Sequence, residues 1–189
     1  MQGSLKPAPR RLSGIMRIQS RPCKSMLAFP ASPADDLPNR ILATLENDGL
    51  HAALRLLNER TPHRFTGIYR YDGDMLRNVI LFDVHDPHLQ RGGDIPMQHS
   101  YCALLQDSDT GAIEFNDPRS DPPSMARSHL TPVVSYCGVL LVDAAGQPFG
   151  SLCHYDLKPC QPRTSDLAML RGLAPQFAAA AIAMELGSG

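Results

Sequence analysis

The side chains in this sequence best suited to chemistry are five cysteines, Cys23, Cys102, Cys137, Cys153 and Cys160, with His154 beside one of them. A thiolate is a nucleophile and a thiol pair is a redox couple, so spacing and setting decide which role is open. The five are odd in number, contain no C-x-x-C pair and mostly sit inside apolar stretches. That pattern reads as reduced thiols of a cytoplasmic protein, since a disulfide framework shows denser, even-numbered cysteines in a smaller chain. Cys137 and Cys153 would face each other directly in a hairpin that pairs Leu141 with Phe149, whereas a one-residue slip puts them on opposite faces. Cross-strand disulfides are geometrically demanding, which leaves buried small hydrophobes as the plainer role for these thiols. Strand alternation also sends Cys153 and Tyr155 one way and His154 and Asp156 the other, so Cys153 and His154 cannot both line one cavity without a bulge. His85-Asp86-Pro87-His88, with His99 and Cys102, supplies zinc-ligand types. The first pair lies in a run of turn residues, where solvated histidines are ordinary, and no metal site is assigned.

The elements that must position these groups follow from pattern. Ser135 to Asp156 reads as two strands and a tight turn: Val133 to Val142 is apolar and β-branched, Asp143 to Pro148 collects turn residues, and Phe149 to Tyr155 is apolar again. Gly146 is free to take positive φ in that reversal. Upstream, Leu37, Ile41, Leu42 and Leu45, then Leu50, Ala53, Leu54 and Leu57, recur at helical spacing, with Asp36 as a candidate N-cap and a break at Asn47-Asp48-Gly49. A second hairpin runs from Arg64 to Val84 about Asp72-Gly73-Asp74, and its return strand is apolar on both faces, with Ile80 and Phe82 on one and Val79 and Leu81 on the other. His85 to Met97 reads as an exposed loop, His99 to Gln106 as a short helix or strand, Ala112 to Asn116 as a short strand, and Asp117 to Met125 as turn-rich. After a break at Pro159 to Pro162, Thr164 or Ser165 is expected to cap a last helix with a Leu-rich stripe, kinked or restarted at Pro175.

At 189 residues and 43% hydrophobic content the chain suits one domain with a tail. Residues 1–34 hold six of the 18 basic residues and none of the 19 acidic ones, so 35–189 carries 12 against 19, a net charge of −7. An acidic body argues against a nucleic-acid partner, and the tail is expected to be a disordered extension. No signal-peptide core and no unbroken apolar run of about 18 residues is present, so neither export nor a membrane span is expected.

Two helices, a hairpin, an irregular middle, a second hairpin and a long helix is a layout that resembles the GAF domain family over about Leu50 to Leu186. Its best-matching part is Cys137-Gly138, the acidic-glycine turn, then Phe149-Gly150-Ser151-Leu152-Cys153 and Asp156 before the last helix. The resemblance implies an α+β, GAF/PAS-like fold with a central antiparallel sheet of about six strands, helices on one face and a ligand cavity on the other, roofed by the middle segment. Under that arrangement the ligand-binding candidates are Tyr69, Tyr71, Phe82, Tyr101, Cys102, Phe115, Tyr136, Cys137, Cys153 and His154, aromatic walls with polar tips. The function it implies is a cytoplasmic small-molecule sensor or regulatory module with no assigned catalytic group, an unnamed ligand and no identified cofactor. A homodimer through the terminal helices is expected, because PQFAAAAIAM is apolar on every side. A second reading is a thiol redox enzyme similar to free methionine-(R)-sulfoxide reductase: Cys102 falls near one cysteine of that family, but the segment expected to carry the attacking thiol, Asp117 to His129, contains none. A third is a protein-interaction module with a filled cavity. Bilin-binding relatives carry their Cys-His dyad on a helix, whereas Cys153-His154 reads as strand.

Overall fold

The computed structural model describes residues 36–120, 122–160 and 166–187; the expected tail over 1–34 and the expected Thr164 or Ser165 cap lie outside them. Two helices come first, α1 (Leu37–Asp48) and α2 (Leu50–Asn58), joined at Gly49. Asp36 occupies the N-cap position of α1, but its backbone is helical and its carboxylate caps no amide. The stripes Leu37, Ile41 and Leu50, Ala53, Leu54, Leu57 are buried, as apolar residues at helical spacing must be when one face meets a sheet.

The sheet contains β1 (Phe65–Asp72), β2 (Met75–Asp83), β3 (Ile95–Pro96), β4 (Ala112–Phe115), β5 (Ser135–Val142) and β6 (Pro148–Asp156). Its order is β3-β2-β1-β6-β5-β4, and every pair is antiparallel. Within the expected His85–Met97 loop, Ile95 and Pro96 pair with Leu76 and Met75, a contact too short for any periodicity to announce. Residues 101–105 form a 3₁₀ turn, and α3 (Pro122–Met125) is a single turn in the turn-rich segment. The β5–β6 reversal closes as its residues dictate: Gly146 has φ 76°, and Asp143 Oδ1 accepts the Ala145 and Gln147 amides at 2.8 Å each.

The last helix, α4 (Asp166–Gly187), runs through Pro175 without restarting. Pro175 lies on the exposed side with Arg171, where water can take the bond its missing N–H gives up. Among the described residues α4 is the one helix long and apolar enough to cross a bilayer, and its Leu170, Leu173, Phe177, Ala178 and Ala181 are buried in the core. That core fills one face of the sheet, with Ile68, Ile80, Val139, Leu141 and Leu152 beneath the helices.

Two bulges set the faces. In β6, Val142 pairs with Pro148 while Leu141 pairs with Gly150, so Phe149 is the extra residue. The register therefore slips by one: Cys137 stands opposite His154, and Cys153 opposite Gly138. The Leu141–Phe149 pairing considered above does not occur, and Cys137 and Cys153 lie on opposite faces. In β2 the shift between Ile68 and Tyr69 leaves Val79 unpaired, and Val79 joins Ile80 and Phe82 on the helix side instead of Leu81.

Candidate functional site

Alternation along the central strands gives the face away from the helices a defined set of side chains. On β1 these are Phe65, Gly67 and Tyr69; on β6, Ser151, Cys153 and Tyr155; on β5, Tyr136 and Gly138. Cys153 pairs with Gly67 on one side and Gly138 on the other, so the middle row of this face carries one thiol between two hydrogens. A Cβ at Gly138 would collide with the Tyr136 phenol, and one at Gly67 would come within 3.2 Å of the Tyr69 ring. The glycines let both rings fold down over the sheet.

The result is a cavity of about 400 Å³ between this floor and a cover made by residues 92–102 and 130–133. Tyr69, Tyr101, Cys102, Tyr136, Cys153 and Tyr155 line it, and Asp94 and His99 supply its titratable acid and imidazole. All five tyrosines of the chain belong to this side of the sheet, while the helix-side core is aliphatic with phenylalanine. Their hydroxyls are placed: Tyr69 and Tyr155 bond each other at 2.8 Å, Tyr71 donates to the Cys102 carbonyl at 2.8 Å, and Tyr136 donates to Cys102 Sγ at 3.3 Å. Tyr101, Phe115 and Tyr136 pack ring against ring at 4.7–6.0 Å. Burial pushes the Tyr69, Tyr71, Tyr136 and Tyr155 phenols up, so they are neutral donors.

Ten candidates were read from the sequence, and the structure separates them. Tyr69, Tyr101, Cys102, Tyr136 and Cys153 line this cavity; Tyr71 and Phe115 buttress it from the same cluster. Phe82, Cys137 and His154 lie on the helix side, which corrects their expected inward placement: alternation from Cys153 and Tyr136 turns the two residues beside them to the other face. There His154 stacks on His63 at 6.1 Å and bonds Thr66 Oγ1 at 2.7 Å; Asn58 Nδ2 also donates to that oxygen, and Thr61 Oγ1 meets His63 Nδ1. Burial holds His63 down to about 4 and His154 down to about 3, so both are neutral structural groups. Residues missed in the sequence reading are Gly67, Gly138, Ser100 and Ser151. The signal for the first two was there: Gly67/Tyr69 and Tyr136/Gly138 are the same i, i+2 pattern in mirrored order.

A second, larger hollow of about 830 Å³ lies between α2 and the start of β1, lined by Arg55, Arg64, Phe82, His85, His88 and Asp156 among others. Its charges are largely engaged: Arg64 grips Asp83 through two bonds of 2.6 and 2.7 Å, and Asp156 accepts the Arg64 and Leu157 amides. The zinc set considered above is divided, His85 and His88 on this hollow and His99 and Cys102 on the other. Among the described residues no three His, Cys, Asp or Glu converge.

The two thiols on the pocket face differ from the rest. The neighbouring Cys153 thiol and the hydroxyls of Ser100, Ser151 and Tyr136, the last donating to Cys102 Sγ at 3.3 Å, hold the Cys102 thiol below the usual range despite burial. Cys153, whose Sγ donates to the Gly67 carbonyl at 3.8 Å, is pushed up by the neighbouring Cys102 and by burial. Burial also pushes up Cys137 and Cys160.

No family model matches the sequence, and no curated protein does. Solved structures do match. A GAF domain of an Acinetobacter phosphoenolpyruvate-protein phosphotransferase superimposes with a TM-score of 0.60 at 12% identity, over 81% of this chain and 95% of that one. A phycoerythrobilin-bound GAF domain from a cyanobacterial phytochrome gives 0.60 at 13%, over 85% and 100%. Free methionine-R-sulfoxide reductase from Neisseria meningitidis, in complex with its substrate, gives 0.59 at 20%, over 85% and 98%. At these identities the likeness shows the fold, and the fold is that of GAF domains.

Proposed function

We propose that this GAF-fold chain is a cytoplasmic sensor domain that binds an uncharged, ring-bearing small molecule in the tyrosine-lined cavity. One observation carries the reading: although the Tyr69 and Tyr136 rings fold down onto Gly67 and Gly138, a cavity of about 400 Å³ stays open beside them between the sheet and its cover. A protein-interaction module with a filled cavity has no such opening. Asp94 is already committed to Arg77 at 3.0 Å and the Asn78 amide at 2.9 Å, so the acid in the lining has no cause to attract a cation. Neutral phenols along the walls favour flat apolar surface with a few polar edges. Two of the structural neighbours hold a small molecule, a phycoerythrobilin in one and a substrate in the other, which supports a ligand here. The sulfoxide reductase reading loses ground on residues, since 117–129 brings no thiol.

Tyrosine fluorescence reports this site directly, because the chain has no tryptophan and all five tyrosines belong to the pocket side. Titration of the full chain with uncharged aromatic and heteroaromatic fragments is expected to give saturable quenching, weakened about tenfold or more by Val133→Phe or Ile95→Phe, which fill the cavity and add no indole. Native mass spectrometry of protein from its own host should retain a ligand. Fragments that bind none of the variants differently, or do not bind at all, overturn the reading.

The sensor is proposed to act as a homodimer through the outer face of α4, where Ala168, Gly172, Ala179, Ala183 and Leu186 (80% exposed) form a line of small or apolar residues. Light scattering of the full chain should report a dimer, and Ala183→Glu a monomer; a monomeric wild-type chain counts against it.

A further inference from the structure

We propose that Cys102 and Cys153 form a reactive dithiol on the pocket floor, with Cys102 attacking a hydroperoxide admitted by the cavity and Cys153 closing the disulfide. The inference rests on the cavity reading above, because both sulfurs are buried and meet the outside only through that space.

The geometry is that of a stabilised nucleophile. Tyr136 Oη donates to Cys102 Sγ at 3.3 Å. Ser100 Oγ accepts the Cys102 amide at 3.0 Å, which fixes the backbone that carries the thiol. The Ser151 hydroxyl lies buried on the same face with no hydrogen-bond partner among the described residues. Cys153 Sγ donates to the Gly67 carbonyl at 3.8 Å instead, and its side chain lines the same cavity as Cys102, so the sulfur that accepts a proton and the sulfur that donates one share that space. Hydrogen bonds to an anion are the strong ones, and the Tyr136 bond offsets part of the cost of charge on the Cys102 sulfur. The other described thiols lack this setting. Cys137 is enclosed in the helix-side core, and Cys160 sulfur donates to the Pro62 and Lys158 carbonyls. The downward displacement of Cys102 and the upward displacement of Cys153 assign the attacking and resolving roles in the same sense.

The chemistry balances within the pair and its oxidant. Cys102 thiolate attacks one peroxide oxygen; the S–O bond forms, the O–O bond breaks, and the alkoxide leaves and takes up the proton that Cys102 released on ionising. Cys153 thiol then attacks the Cys102 sulfenic acid, forming S–S and expelling water. The dithiol gives up two electrons and the hydroperoxide is reduced to an alcohol. A dithiol reductant restores the pair by exchange.

Cumene hydroperoxide, uncharged and aromatic, is the probe. Full-length protein is treated at neutral pH and mapped by mass spectrometry of unreduced peptides. Expected are a Cys102–Cys153 crosslink, oxidation of this pair at least about tenfold faster than Cys137 or Cys160, and, in Cys153→Ser, a sulfenic acid at Cys102 captured by dimedone. Tyr136→Phe keeps both thiols and is expected to slow the reaction roughly tenfold by removing one donor. Oxidation spread over Cys137 and Cys160, absence of the crosslink, or a Tyr136→Phe rate equal to wild type overturns the proposal. Fragment binding without a crosslink would sink the dithiol and leave the sensor reading standing. A crosslink that forms equally fast in Val133→Phe overturns entry through the cavity and with it the proposal, whereas a crosslink slowed in Val133→Phe, with no fragment bound by wild type, would sink the sensor reading alone.

Discussion

Gly138→Ala tests whether the pocket depends on rings folded over glycine. A Cβ at Gly138 falls 2.6 Å from Tyr136 Cζ and 2.7 Å from Cε1, and closer still to the hydroxyl, separations that real contacts do not reach. Tyr136 must therefore move, although it is 2% exposed and packs on Phe115 and Tyr101. Overpacking of this kind costs about 1–3 kcal/mol. Alanine elsewhere in a strand would gain about 0.5–1 kcal/mol over glycine, so the net loss expected is about 1–2 kcal/mol. For a chain of this size that lowers Tm by about 2–8 °C. The decisive measurement is a double-mutant cycle by urea denaturation: with Tyr136→Val the ring is gone, and Gly138→Ala should become neutral or stabilising, a coupling of at least about 1 kcal/mol. Gly93→Ala, whose Cβ would meet nothing within 4 Å, is the control and should stay within about 0.5 kcal/mol of wild type. Equal cost of Gly138→Ala in both backgrounds would refute the steric argument.

Stability should fall as pH drops below about 6.5, because unfolded histidine titrates there while His63 and His154 stay neutral in the fold down to about 4 and about 3. The unfolded chain binds more protons across that window, so each histidine removes up to about 1.4 kcal/mol per pH unit; urea midpoints that stay flat from pH 6.5 to 4.5 would contradict this, and His154→Asn should roughly halve the slope. Thr66→Val preserves shape but strands Asn58 Nδ2 and His154 Nδ1, each bonded to the hydroxyl at 2.7 Å; a loss of about 1–3 kcal/mol is expected by denaturation. Asp143→Ala releases two turn amides bonded at 2.8 Å, with an expected loss of about 1 kcal/mol and faster hydrogen exchange at Ala145 and Gln147.

Much of the architecture was legible because it depends on local rules. Periodicity located α1, α2 and the two long hairpins, and Asp143 with Gly146 fixed a turn whose hydrogen bonds match its residues. What was not legible depends on single-residue irregularities. Phe149 bulges out of β6, and nothing in an apolar run marks which residue does so; that one position moved Cys137 from facing Cys153 to facing His154. The same holds for Val79 in β2, where both faces are apolar and only the bulge decides which residues meet the helices. β3 is two residues long and exists because Met75 and Leu76, paired with Asp72 and Tyr71 on one edge, take Pro96 and Ile95 on the other.

Alternation alone separated Cys153 from His154, yet it could not say which of them faced the helices. Residue chemistry decides that. Leu152, Leu141, Val139 and Ile68 share a face with His154 and Cys137, and an aliphatic face of that size needs helices over it. Ser151, Cys153 and Tyr155 share theirs with Tyr69 and Tyr136, side chains whose polar tips need partners. Because the helix-side core supplies the apolar burial, the opposite face is free to fold two phenol rings onto glycines and to set thiols and polar ring edges around a cavity of about 400 Å³, an arrangement suited to receiving a ligand.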